Sequence, residues 1–450
     1  MARDRLERWA EAEKDTFRRA RPNSAALWQR ALTSMPRGVP MSWMESFYDH
    51  AVTYVDHGSG SRFTDVDGHE YLDMYVADMS MFCGHAQPSV VDAVCRRMAQ
   101  GNQFLLPTQD AVVVAEHLAA RYGKPQWQFT LSATLANVEV IRIARHVTGR
   151  EIVVTFDGKY HGHVDATMVV EGDTGLEPEY LGLPRSVSGQ ARIVPFNDVA
   201  ALQRALEPRD VAVVLTEPVM TNAGVITPSP EFVTALRALT RDTGTLLAVD
   251  ETHSLVGAYA GMAPEVGLDG DFLVVGKSIA AGVPLGAYGM TDDLAGHLAA
   301  EPGHHETAGA PVGEVALGGT LFANALSMAA AATALTEVLT PEAFERTRDL
   351  GAHLADGLEH ALTVTGLPWS IARMGSHAYY GFAPRPARTG AEAHANDDPE
   401  LRALMRVWMA NRGIWESGWW LGPTVSVAHS REDVDRYIAA FAQFVDELTA

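Results

Sequence analysis

Cysteine is scarce in this chain. Cys83 and Cys95 are the only two among 450 residues, too few for a disulfide framework, and a reduced, cytoplasmic setting is the expectation. Basic residues are also in deficit. Lysine and arginine total 35 against 56 acids, a net charge of −21, which argues against nucleic acid or an anionic membrane as partner. There is no run of about 18 uncharged apolar residues, the length a membrane span needs. The AAAATALTEVL stretch is interrupted too soon and reads as a packed helix. The opening residues, MARDRLERWAEAEKD, are charged throughout, unlike a secretory signal. What the chain does have is 47% apolar residues, enough for a core too large for one ordinary domain, so two or three packed subdomains are expected.

The periodicity predicts two short amphipathic helices over 4–19 and 25–34, the second stopped by Pro36 and Gly38. Alternating β-like runs follow (AVTYVDH, SRFTDVDG, YLDMYV), with a DG pair suited to a hairpin turn. From about Pro88 helical stretches alternate with the apolar strands QFTLS, EIVVTF, ARIVPF, VAVVLTE, TLLAVDE and DFLVVGK. That alternation indicates βα units and a mostly parallel sheet covered on both faces. A long helical stretch begins near Ala325, and the rest reads as a smaller α+β unit. Residues 384–399 are rich in structure breakers and read as a mobile loop. The expected division is an N-terminal segment over 1–80, a large domain over 81–325 and a C-terminal small domain over 326–450.

Three of the strands end in residues able to do chemistry: VVLTE in Glu217, TLLAVD in Asp250 and, after a glycine, DFLVVG in Lys277. In open α/β sheets, ligands sit outside the carboxyl ends of the strands. Each residue alone reads as a solvated strand end; all three after strands too apolar to be exposed suggest a site. Small neighbours (Gly276, then SIAAG) leave room for a bulky group on the Lys277 amine. Burial favours the neutral amine that Schiff-base chemistry requires. Asp250, 27 residues earlier, suits a protonated ring nitrogen. SATLAN, over 132–137, precedes an apparent helix, so its N–H groups can meet a phosphate, although taken alone these residues favour a plain N-cap by Ser132 or Thr134. Tyr160 in DGKYHGH offers an aromatic face, with core packing as the other reading.

With these residues in place, the chain resembles the class III (ω-type) aminotransferases dependent on pyridoxal 5′-phosphate (PLP), nearest their glutamate-1-semialdehyde aminomutase-like branch. The likeness runs from 27 to 444 through TDVDGHEYLDM, GHAQPSVVDAV, RIARHVTGR, the FDGKYHGH block, LTEPV, VDETH, VVGKSIAAGVPLGAYG and GGTLFANALSMAAA, in that order. It implies PLP as cofactor and transferase fold type I, an α/β architecture. Its mostly parallel central sheet has seven strands, and a smaller α+β domain is drawn from both chain ends. The resemblance also implies a homodimer with active sites at the interface. Lys277 would carry the cofactor and shuttle protons, and Asp250 would pair with the ring nitrogen. Thr252 and Tyr160 would cover the two ring faces, and His253 and Glu217 would stand on the ring-hydroxyl side. Ser132, Ala133 and Thr134 would cup the phosphate, joined by Thr320 from the partner subunit.

The departures bear on substrate. The family's Ser-Gly-Thr-Glu-Ala reads Ser132-Ala133-Thr134-Leu135-Ala136 here, and Asn324-Ala325 stands where Asn-Pro is common. The arginine that the aminomutase branch places after its Pro-Gly-Gly-Val turn is missing from PRGVPMSWMESF. None stands in the expected place within ESGWWLGPTVSVAH, although Arg412 and Arg431 flank it. A substrate carboxylate needs such a partner. Trp43, Met44, Phe47, Met81, Phe82, Trp419 and Trp420 therefore become possible walls for an apolar or bulky amine, or else core. The expected activity is a ping-pong transaminase passing nitrogen from an amine or amino acid to a keto acid or ketone. The alternatives are an aminomutase, epimerase or phospholyase on the same scaffold, and a PLP-fold binding protein without activity. The histidine-bearing segments HGH, CGH and HHE lack a four-ligand metal spacing, so no metal is expected.

Overall fold

A computed structural model describes residues 3–46, 48, 50–173, 175–300, 315–417 and 422–450. The chain divides into two units, one of Met1–Pro88, Glu342–Ala387 and Ala393–Ala450, the other of Ser89–Pro341 with Arg388–Glu392.

In the first unit, strands β1 (Val55–Ser59), β2 (Arg62–Asp65) and β3 (Glu70–Asp73) form an antiparallel meander. The β2–β3 turn passes through Asp67 and Gly68, the DG pair, with Gly68 at φ +86°. The two expected opening helices form over Arg3–Arg19 and Pro22–Ala31.

The second unit carries the large sheet. Its strands are β4 (Gln126–Thr130), β5 (Ile152–Phe156), β8 (Ala191–Val194), β9 (Val211–Thr216), β10 (Leu246–Asp250), β11 (Phe272–Val275) and β12 (Gly286–Met290), apart from a hairpin of β6 (Val169–Gly172) and β7 (Gly175–Pro178). The order across the sheet is β4-β12-β11-β10-β9-β5-β8, with β12 alone antiparallel to its neighbours. Every residue of β9, β11 and β12 is buried, as a sheet covered on both faces requires. Helix Ala133–Thr148 packs on one face through Val140, Ile143 and Ala144, against Val213, Ala248 and Val274. Because β10 and β11 pair with Asp250 opposite Val274, and β9 and β10 with Thr216 opposite Val249, Glu217, Asp250 and Lys277 emerge at one edge.

The helical stretch at Ala325 is present, as Ala325–Thr333 running into a π-helical turn over Ala334–Val338. Back in the first unit, helix Pro341–Thr365 leads to the hairpin β13 (Ser370–Met374) and β14 (His377–Gly381), and β15 (Ile414–Trp415) joins β3 in parallel. Trp408, Phe441 and Phe444 fill this unit's core. The breaker-rich residues 384–399 differ from the expected loop. Helix Gly390–Ala395 forms there, its first turn held by the Thr389 hydroxyl on the Glu392 N–H at 3.1 Å. Arg388 is anchored by the Asn197 amide on its carbonyl at 2.9 Å.

Candidate active site

Asp250 closes β10 and is buried, with donors on both carboxylate oxygens. Oδ2 accepts from Asn137 Nδ2 at 2.8 Å and meets His161 Nδ1 at 2.9 Å; Oδ1 accepts from the Thr252 N–H at 3.0 Å and from its hydroxyl. Burial alone would raise the carboxyl's pKa, but the bonds from His161, Thr252 and Asn137 outweigh it and hold the group below its ordinary range. A buried anion results. Its donors are an amide, a hydroxyl, a backbone N–H and an imidazole, none of them a fixed positive charge. A cationic ring nitrogen is the partner such a group fits.

Glu217, one residue past β9, is also buried. Its Oε2 accepts from the Thr221 N–H at 3.1 Å and the Thr221 hydroxyl at 2.6 Å. Burial pushes this carboxyl up, and His161, His253 and Thr221 only partly offset that. Thr221 Oγ1 lies 2.8 Å from His253 Nδ1, which brings His253 into the same cluster.

Lys277 follows Gly276 at the end of β11, half-buried and at φ +48°. Gly276 presses against the start of helix Ala133–Thr148: a Cβ there would lie 3.0 Å from the Ala133 Cβ and 3.3 Å from its nitrogen. Four lysines exist in the whole sequence. The other three each hold a carboxylate, Lys14 with Glu11 at 3.2 Å, Lys124 with Asp269 at 2.8 Å and Lys159 with Glu179 at 3.1 Å. Lys277 is the one at the carboxyl edge between Asp250 and the helix start.

Ser132 is the N-cap of that helix, its hydroxyl accepting from the Leu135 N–H at 3.4 Å, so the plain cap reading and the phosphate reading describe the same loop. Thr134 is so close to Gly162 that a Cβ on Gly162 would stand 1.9 Å from its hydroxyl. This places the SATLAN turn beside His161 and hence beside Asp250. The first-turn N–H groups and the Thr134 hydroxyl suit a phosphate.

Tyr160 is exposed; so is Thr320, whose carbonyl accepts from the Gln103 side chain. Phe82, read from the sequence as a substrate wall or as core, packs as core. It is fully buried with its ring 5.3 Å from Phe344, because a large ring gains more from packing than from facing water. Trp43 and Met44 are exposed on the four-residue helix Trp43–Ser46. Phe47, Trp419 and Trp420 lie outside the described residues. The flanking arginines are engaged: Arg412 pairs with Glu13 at 3.3 Å, and Arg431 meets His353 at 3.3 Å. Asn137, His161 and Thr221 escaped the sequence reading of the site. Asn137 did leave a signal, a polar residue on the helix face otherwise formed by Ala136, Val140 and Ala144.

The model of the class-III aminotransferases, described as "Aminotransferase class-III", matches residues 44–378. The chain belongs to this family. It is 34% identical over 435 residues to a glutamate-1-semialdehyde 2,1-aminomutase of Thermomicrobium roseum, covering 95% of this chain and 98% of that one. Among solved structures it is similar to a glutamate-1-semialdehyde aminomutase from Pseudomonas aeruginosa PAO1, also solved in complex with PMP. The TM-score is 0.94 at 35% identity, over 100% of this chain and 99% of the other. An ω-transaminase from Sphaerobacter thermophilus follows at TM-score 0.85 and 30% identity, over 94% and 97%. The fold is that of the fold type I transferases, and the cofactor is PLP. Asp250 and the cradle at Ala133, Thr134 and Gly162 fit that group.

Proposed function

We propose that this chain is a PLP-dependent aminomutase, moving an amino group between carbons of one small substrate without a separate acceptor. The observation that carries the chemistry is the buried Asp250 carboxylate at the strand edge it shares with Lys277. What favours an internal shift is full-length similarity at 34–35% identity to proteins named as aminomutases.

PLP, when bound, supplies an electron sink for charge that develops on the carbon bearing the nitrogen. The rest falls to this chain's residues. Lys277 Nζ holds the cofactor and carries a proton to and from the reacting carbon, and general acid–base work of this kind contributes about 10²–10⁴-fold. Asp250 keeps a negative charge against the ring nitrogen. Thr252 and Tyr160 would cover the ring faces, and Glu217 with His253 would serve the ring-hydroxyl side. Ser132, Ala133 and Thr134 bind the phosphate. Thr320 acts from a second copy of the chain. In support of that homodimer, Gln103 ties Thr320 to the exposed Phe104 and Leu105, and their sequence neighbours Leu106 and Leu321 are exposed too. Among the described residues no helix is long and apolar enough to cross a membrane.

A second reading, a transaminase for an apolar amine, has one observation in its favour. Residues 40–46 contain no arginine, nearby Arg37 is paired with Glu45 at 3.0 Å, and Trp43 and Met44 are exposed. A single-substrate experiment separates the two. PLP-loaded enzyme is mixed with excess glutamate-1-semialdehyde, and in parallel with apolar amines, with no keto acid present. The aminomutase reading predicts rearranged product well beyond one equivalent per site. A halt at one equivalent, in the pyridoxamine form and released by a keto acid, would overturn it in favour of the transaminase.

A further inference from the structure

Thr221 is the junction of a buried relay beside Asp250. Thr221 is fully buried, and Glu217 and His253 nearly so. Its hydroxyl lies 2.6 Å from Glu217 Oε2 and 2.8 Å from His253 Nδ1, and it has one proton to give. Two facts decide where that proton goes. The same Oε2 also receives the Thr221 backbone N–H at 3.1 Å, a group that can only donate. An O···O distance of 2.6 Å is that of a hydroxyl on a carboxylate. The hydroxyl therefore donates to Glu217, and its oxygen is left to accept from His253, which must carry its proton on Nδ1.

The competing contact is weaker. Asn222 Nδ2 stands 3.4 Å from both His253 Nδ1 and Glu217 Oε1, and a donor placed equally between an imidazole and a carboxylate favours the carboxylate.

We propose that Thr221 is a positioning residue that passes the charge of Glu217 to His253, fixing His253 as the Nδ1–H tautomer so that its Nε2 acts as the acceptor toward a hydroxyl-bearing ring. The hydrogen-bond order is His253 Nδ1–H to Thr221 Oγ1–H to the Glu217 carboxylate. Positive charge on the His253 imidazole would be stabilised through the same two bonds. No electrons change hands and no further reactant is required. The inference rests on the PLP-enzyme reading for the identity of the ring, but the tautomer does not.

The test uses full-length protein labelled with ¹⁵N at histidine, with and without PLP, and a His253→Gln variant to assign the resonance. Wild type is expected to show His253 protonated at Nδ1 and bare at Nε2 in the PLP-free protein. A proton on Nε2 there would overturn the proposal without touching the PLP assignment. In the loaded enzyme, Thr221→Val should scramble the tautomer and shift the visible absorption of the bound cofactor. It should also lower kcat about tenfold, the size of one lost hydrogen bond, with KM little changed. Thr221→Ser, which keeps the hydroxyl, should restore all three, and does so even if the valine variant fails to fold. A serine variant as impaired as valine, or a valine variant with wild-type tautomer and spectrum, would refute the relay. Absence of any cofactor spectrum in wild type would instead count against the PLP reading alone.

Discussion

The Asn137 amide donates to Asp250 Oδ2 at 2.8 Å, joining two residues 113 positions apart in sequence. Asn137 projects from helix Ala133–Thr148, the helix whose first turn faces Gly276 and Gly162. One element therefore steadies the buried carboxylate and shapes the cradle proposed for the phosphate.

Replacing Asp250 with asparagine removes the charge and sets an N–H group against donors that now point at oxygen. We expect a stability loss of about 1–3 kcal/mol, read by denaturant unfolding of the PLP-free protein. Activity should fall about 10²–10³-fold with PLP still bound. The wild-type carboxyl is held below its ordinary range in the folded state. Its stabilising contribution is thus full above about pH 4 and lost as pH falls through the folded value.

Gly162→Ala tests the packing between the 160s loop and the SATLAN turn. Gly162 sits at φ +80°, and an added Cβ would come within 1.9 Å of the Thr134 hydroxyl and 2.9 Å of its Cα. The turn must move. A rise of about tenfold in the dissociation constant for PLP is expected, about 1.4 kcal/mol, measured by fluorescence titration. Unchanged affinity would remove Thr134 from the cofactor cradle.

Glu416, in the first unit, gives a pH signature of its own. Burial pushes its carboxyl up to about 7, the charges of Arg402 and Arg406 notwithstanding. With a folded value above the unfolded one, stability is full below about pH 4.5 and declines as pH rises toward 7, by roughly 3 kcal/mol. His429, lowered to about 4 by burial, acts in the opposite sense, losing stability as pH falls below about 6.5. The informative measurement is therefore a difference. Glu416→Gln should gain stability over wild type at pH 7 and little at pH 4.5.

Glu139 holds the segment leading to Thr320, accepting from the Gly318 N–H at 2.6 Å. In Glu139→Ala the Gly318 amide should exchange with deuterium at least tenfold faster, as loss of one such bond implies. If Thr320 serves the phosphate of a second copy, PLP affinity should fall in parallel.

Much of this arrangement was legible in the sequence, and the illegible parts have physical reasons. Strands β5, β9, β10 and β11 stand out because burial on both faces requires continuous apolar runs. β12 does not, since GAYGM carries glycines that weaken any strand signal. Those glycines are needed: a Cβ on Gly286 would come 2.3 Å from the Ser132 carbonyl carbon, and one on Gly289 would come 2.7 Å from the Trp127 ring. Helix Gly390–Ala395 was hidden by surrounding breakers. Lys277, Asp250 and Glu217 announced themselves as polar ends of apolar strands. Of their supporters, Asn137 showed only as a polar residue on an apolar helix face. The bonds of His161 and Asn137 to Asp250, spanning 89 and 113 residues, leave no local pattern. Thr221, four residues from Glu217, carries no mark that sets it apart from an ordinary loop threonine. Phe82, open in the sequence between substrate wall and core, packs as core, a choice that only the tertiary contacts could make.

The central claim is that Lys277 carries the cofactor, and reduction of the PLP-loaded protein with borohydride tests it directly. Peptide mapping by mass spectrometry should place the pyridoxyl group on Lys277 and leave Lys14, Lys124 and Lys159 unmodified. Label on any of those three instead, or no label on a protein that binds PLP, would contradict the account.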